Sequence, residues 1–81
     1  MDKFYVITEK IEHLSEVFDY DPEFHVLCVF SNLDSAKKHL LKLSMACSQH
    51  AESSVCEYGF WYKSQYRKIS VYLERIDYIQ D

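Results

Sequence analysis

The sequence predicts an α+β domain: a small, mostly antiparallel sheet in the order ββαββ, with one amphipathic helix packed on one face. Three observations carry this. Runs of β-branched and aromatic residues stand near both ends of the chain. One central segment places apolar residues at helical spacing. The whole is 81 residues long, enough for a single domain, 1–81. Its composition is 48% hydrophobic and 16% aromatic, too apolar for a disordered chain. Aromatic side chains bury roughly 150–250 Å² each, so thirteen of them help a short chain build a core.

"KFYVITEK" (3–10) reads as the first strand. "FHVLCVFS" (24–31) reads as the second, with Phe24, Val26, Cys28 and Phe30 on one side and Leu27 and Val29 on the other. Apolar residues on both sides predict a central strand, or one covered on both faces. Between them, Ile11, Leu14, Val17 and Phe18 fall at helical spacing. Residues 11–23 therefore read either as a helical turn or as a wide hairpin. Pro22 in "DYDP" fixes a turn before the second strand.

"SNLDSAKKHLLKLSMACSQHAES" (31–53) is the clearest element. Leu33, Ala36, Leu40, Leu43 and Cys47 form one apolar stripe, with Lys38, Lys42 and Gln49 opposite. A single helix over about 33–50 follows. Ser31 with Asp34 resembles a capping pair, and Asn32 is the alternative cap. "AESSVCE" (51–57) reads as a loop, and "YGFWYKS" (58–64) and "RKISVYLERIDYI" (67–79) as two strands joined near 64–67. Ile76 and Ile79 differ in parity near the end of the last strand, which predicts a bulge or an early end there.

One helix covers one face of such a sheet, so the aromatic stretch "EYGFWYKSQY" (57–66) must divide. Alternation puts Phe60 and Tyr62 on one face and Trp61 and Lys63 on the other.

Charge and cysteine content narrow the classes of function. The net charge is −4, which gives no general pull towards nucleic acid. Residues 1–34 carry −6 and residues 35–81 carry +2. Three cysteines leave at least one thiol unpaired, so this is no disulfide scaffold, and a reducing, cytoplasmic compartment is expected. No apolar run approaches the roughly 20 residues that span a bilayer. The opening "MDKFYVITEK" breaks its apolar run with charge and does not read as a signal peptide.

No arrangement of residues specifies catalysis. Cys47 and His50 in "CSQH", with Cys56 and His13 or His25, are a partial metal-ligand set. They lack the second closely spaced pair of a structural zinc site, and a core thiol explains Cys47 as well. Cys56 stands beside Glu57, which raises rather than lowers a thiol pKa. "DYDPE" lacks the glycine and the distal glutamate of a calcium loop. One glycine excludes a glycine-rich phosphate loop. The expectation is a non-enzyme without a cofactor.

The strand "FYVIT", then "VLCVFSNLDSAKKHLLKL", then "ISVYLERID" resembles small uncharacterised ββαβ-type accessory proteins of bacteriophages and large DNA viruses. Tyr5, Val6, Val29, Phe30, Ser31, Ala36, Tyr72 and Leu73 carry the resemblance. It covers about half the chain and omits 57–66. It implies a viral accessory protein of the host cytosol or nucleus, and neither catalytic residues nor a substrate.

These readings converge on a protein that binds another protein, inhibiting a host defence or occupying a host factor. Rigid aromatics are enriched at such interfaces. The expected contacts are Trp61, Tyr62 and Tyr66, with Lys63 and Arg67 at the rim, and Asp19 and Asp21 as a second candidate. Two alternatives stand beside it. One is a homodimeric structural or virion component, whose bare sheet face pairs with itself. The other is a single-strand nucleic-acid binder using the aromatic and basic residues of 58–68. No membrane partner is expected.

Overall fold

A computed structural model describes residues 2–14, 20–50 and 52–78. Its elements are β1 (Asp2–His13), β2 (Glu23–Phe30), α1 (Leu33–Ser44), a 3₁₀ turn (Met45–Gln49), β3 (Glu52–Cys56), β4 (Gly59–Lys63) and β5 (Arg67–Tyr78). The strands form one sheet in the order β2-β1-β5-β4-β3, and every neighbouring pair is antiparallel. The fold is α+β. The order ββαββ is corrected to ββαβββ, because residues 52–56 are a strand and not a loop.

That extra strand is invisible to alternation. All five side chains of β3 are exposed, so no apolar period marks it. Its backbone pairs with β4 from Glu52↔Lys63 to Cys56↔Gly59, leaving Glu57 and Tyr58 as a two-residue turn. Hairpin turns of this length usually announce themselves with Asn-Gly or Asp-Gly at positive φ. Here no described residue has a positive φ, so the usual signature is missing.

β1 and β5 form the spine, paired without interruption from Asp2↔Tyr78 to His13↔Arg67. The expected irregularity in β5 does not occur among its described residues, and Ile79 lies outside them. The bulge is in β2 instead. Ile7 pairs with Cys28 and Thr8 with Val26, so Leu27 has no partner in the register. β2 is also not a central strand but an edge. β1 extends through His13, where the sequence left a helical turn and a hairpin open. β1 and β2 are antiparallel neighbours, and residues 15–19 between them, with Val17 and Phe18, lie outside the described residues.

α1 crosses one face of the sheet and touches β1, β2, β4 and β5. Asn32 is its N-cap, with Oδ1 accepting from Ser35 N–H at 3.1 Å. Ser31 stands one residue too early for the box with Asp34. The helix is also shorter than expected. It ends at Ser44, whose hydroxyl donates to the Leu41 carbonyl at 2.7 Å, and the chain tightens into the 3₁₀ turn. The apolar stripe survives this change. Ala36, Leu40 and Cys47 are buried with Ile7, Phe60, Val71 and Leu73, and Leu33 and Leu43 pack against that cluster. All of the core sits between the helix and one sheet face, apart from Val6 on the other side.

Candidate functional site

Antiparallel partners share a sheet face, so the register assigns every strand side chain. Tyr5, Ile7, Cys28, Phe30, Phe60, Tyr62, Ile69, Val71 and Leu73 face the helix. The opposite, open face takes Phe4, Val6 and Thr8 from β1, Tyr72, Glu74 and Ile76 from β5, and Trp61 from β4.

The bulge at Leu27 decides what β2 contributes. A perfectly regular strand would place Val26 with Cys28. The extra residue reverses the phase, so Phe24, Val26 and Val29 pair with Lys10, Thr8 and Val6 on the open face. Lys10 Nζ, 5.7 Å from the Phe24 ring centroid, is consistent with that placement. The expected single side for Phe24, Val26, Cys28 and Phe30 is thereby corrected to two.

The result is an apolar patch. Phe24 is 69% exposed, Val26 65%, Val29 57% and Ile76 49%, with Phe4 and Tyr72 beside them. Along one end runs a charged row, Glu12, Lys68, Lys63 and Glu52, in strand order. Lys63 Nζ lies 3.6 Å from Glu52 and Lys10 Nζ 3.7 Å from Glu12. Among the described side chains of this face, Lys10, Lys63 and Lys68 balance Glu12, Glu52 and Glu74. Glu74 stands apart from that row, between Tyr72 and Ile76 on β5 and beside Val6 on β1.

The residues singled out from sequence do not form one cluster. Trp61 lies on the open face, half-buried, under Lys68 Nζ at 4.9 Å from its ring centroid. Lys63 stands in the charged row. Tyr62 faces the helix side, where it stacks on His50 with centroids 4.4 Å apart. Burial holds its hydroxyl above the ordinary tyrosine value, and Glu9 and Cys47 act in the same direction.

Tyr66 is exposed in the β4–β5 turn and lines a cleft of about 970 Å³ with Asp21, His13 and Glu23. Tyr66 and Asp21 thus share one site although they are distant in sequence. Arg67 pairs in register with His13 at the same end. Asp19 lies outside the described residues. His13 Nε2 is 2.8 Å from the Glu23 carboxylate, and this hydrogen bond holds Glu23 below its ordinary value.

Sequence reasoning missed Phe4, Phe24, Val26, Val29 and Ile76 as surface residues. Their apolar character made them core candidates, and only the sheet order and the bulge expose them.

The metal-ligand candidates separate. Cys47 is buried, its thiol raised by that burial and 3.9 Å from the Trp61 carbonyl. Cys56 is exposed beside the Gly59 carbonyl. Among the described residues no three His, Cys, Asp or Glu side chains come together as a metal site. No described helix is long and apolar enough to cross a membrane. In comparisons with known proteins, the chain matches no family model, no curated protein and no solved structure.

Proposed function

We propose that this protein is a non-enzymatic accessory protein that works by binding protein surface through the open face of its sheet. The apolar patch of Phe24, Val26, Val29, Tyr72 and Ile76 carries the reading. Exposed side chains of that size, left in water, forgo roughly 1.5–3 kcal/mol each of burial free energy. A partner surface recovers it. The resemblance to phage and viral accessory proteins supports a role in occupying a host factor, inside the host cell.

The test is capture from host extract that also contains a second, differently tagged copy of the chain. Wild type and Val26→Glu are compared, with folding checked by circular dichroism. Retention of the second copy or of a host protein by wild type alone supports the reading. Equal retention by both variants rejects it.

A second reading, single-stranded nucleic acid on the same face, has one observation in its favour. Lysines stand over Trp61 and Phe24, the pairing of cation and stacking ring that single-strand binders use. The equal numbers of Lys and Glu among the described side chains of the face oppose it. Salt-sensitive binding of a labelled oligonucleotide, lost on Trp61→Ala, would establish it.

A further inference from the structure

We propose that the cleft walled by the end of β1, the start of β2 and the β4–β5 turn binds the side chain of an arginine presented by a partner protein. This surface is separate from the open face. Glu23 pairs with Ile11, and Ile11 with Ile69, which packs against the core under the helix. Glu23, and His13 two residues on from Ile11, therefore lie on the helix side of the sheet. The proposal goes beyond the reading above, because it concerns a second surface.

Three observations argue for it. The first is the framework. Leu14 N–H donates to the Tyr66 carbonyl and Ser64 N–H to the Arg67 carbonyl, each at 2.8 Å. His13 Nε2 lies 2.8 Å from Glu23 Oε2. These bonds tie the three segments together at the cleft. Walls set before a ligand arrives leave less ordering to oppose binding.

The second is the lining. Around the cleft stand two carboxylates, Asp21 and Glu23, and two tyrosines, Tyr20 and Tyr66, and no lysine or arginine lines it. Its volume of about 970 Å³ is that of a ligand site. Tyr20 is 57% exposed and Tyr66 68%. The face of an aromatic ring draws a cation to within about 6 Å of its centroid. Rings and carboxylates in one cleft therefore select positive charge. An anion is repelled by both carboxylates, and an apolar ligand strips water from them without replacing it.

The third is the supply of acceptors. Glu23 uses Oε2 for His13, and that hydrogen bond holds its carboxyl below the ordinary value. Arg67 and His25 act on it in the same direction, yet neither lines the cleft. Among the described residues, Glu23 Oε1 and both oxygens of Asp21 accept no hydrogen bond and form no ion pair. Arginine is the cation that uses rings and carboxylates together. Its planar guanidinium stacks on an aromatic face and pairs with a carboxylate through two parallel hydrogen bonds, whereas the lysine ammonium is compact and strongly hydrated.

The experiment is an amide chemical-shift titration of the isotope-labelled protein with a blocked peptide that carries one arginine between alanines. The same peptide with citrulline keeps the shape and removes the charge. The peptide with lysine, and tetramethylammonium chloride, supply other cations. The expected result is saturable shifts at His13, Gln65 and Tyr66 with the arginine peptide, none with citrulline, and weaker binding of lysine and tetramethylammonium. Asp21→Asn and Tyr66→Ala should each weaken the arginine peptide by roughly threefold to tenfold. Both side chains are exposed, and Tyr66→Ala keeps the carbonyl that Leu14 binds, so both variants should fold, which the dispersion of their amide spectra checks.

The absence of saturable shifts with the arginine peptide overturns the proposal, as does equal binding of the citrulline peptide. Equal binding of lysine or tetramethylammonium overturns the assignment to arginine. Shifts gathered at Val26, Val29 and Ile76 would put the cation on the open face instead, and undiminished binding by both variants would remove it from the cleft.

Discussion

Gly59 lies beneath the ring of Tyr72. The two are cross-strand partners on the open face, and a methyl group at Gly59 would meet Tyr72 Cδ1 at 2.5 Å and the Val71 carbonyl oxygen at 2.7 Å. The glycine serves space here and not backbone freedom, since its φ is not positive. An aromatic ring over a strand glycine also shields its backbone. Gly59→Ala should therefore destabilise the fold by about 1–3 kcal/mol, the range for overpacking, although alanine is the stiffer residue. Urea denaturation measures this. A gain in stability would show that the ring and backbone give way freely. In the double variant Gly59→Ala/Tyr72→Ala part of the loss should persist, because the Val71 carbonyl cannot swing aside.

Asn32 caps α1 through its side chain. Asn32→Ala should lower stability by about 1 kcal/mol, and Asn32→Asp should retain most of it, since Asp also accepts from the first turn. Ser31→Ala should change little. The reverse ranking, with Ser31→Ala the more damaging, would return the cap to the Ser31–Asp34 pair.

Glu23 ties the start of β2 to the end of β1 through His13 at 2.8 Å. The hydrogen bond from His13 lowers its pKa in the folded chain. A lowered carboxylate contributes stability that is present above the ordinary carboxylate range and lost as pH falls through the folded value. Wild type should therefore exceed Glu23→Gln in urea midpoint at mildly acidic pH, with the gap closing as the solution becomes more acidic. Both groups are partly exposed, so the gap should be small and shrink with salt. A gap that persists undiminished at low pH contradicts the pair as its origin.

The three thiols should differ in reactivity. Cys56 is exposed, Cys28 half-buried and Cys47 buried. Burial raises the pKa of both Cys28 and Cys47, which depletes the reactive thiolate. Alkylation near neutral pH, followed by mass spectrometry, should label Cys56 first, Cys28 later, and Cys47 only as the fold opens. Labelling of Cys47 at the rate of Cys56 would contradict the packing of the 3₁₀ turn against β4.

Much of the architecture is legible in residue patterns. The stripe Leu33, Ala36, Leu40, Leu43 and Cys47 is an angular repeat, and it faces the core even where the α-helix tightens to a 3₁₀ turn. Alternation correctly separates Phe60 and Tyr62 from Trp61 and Lys63. The strand β3 escaped because five exposed side chains carry no period, and because its turn lacks a glycine at positive φ. Of the candidate contacts among the described residues, only Trp61 and Lys63 reach the open face. Tyr62 is turned under the helix by the same alternation that exposes its neighbour.

By itself the sequence determined the core stripe of the helix and which side chains of β4 keep company, because those follow from periods of 2 and 3.6 residues within a segment. Sheet order and the residue lost to the bulge depend on partners far along the chain, which a local pattern cannot encode. Those two facts put β2 at the edge and turned Phe24 and Val26 from helix-facing core into open surface. The apolar open face is therefore a product of tertiary structure: one unpaired residue, Leu27, reverses the phase of a strand and moves its apolar side chains into solvent.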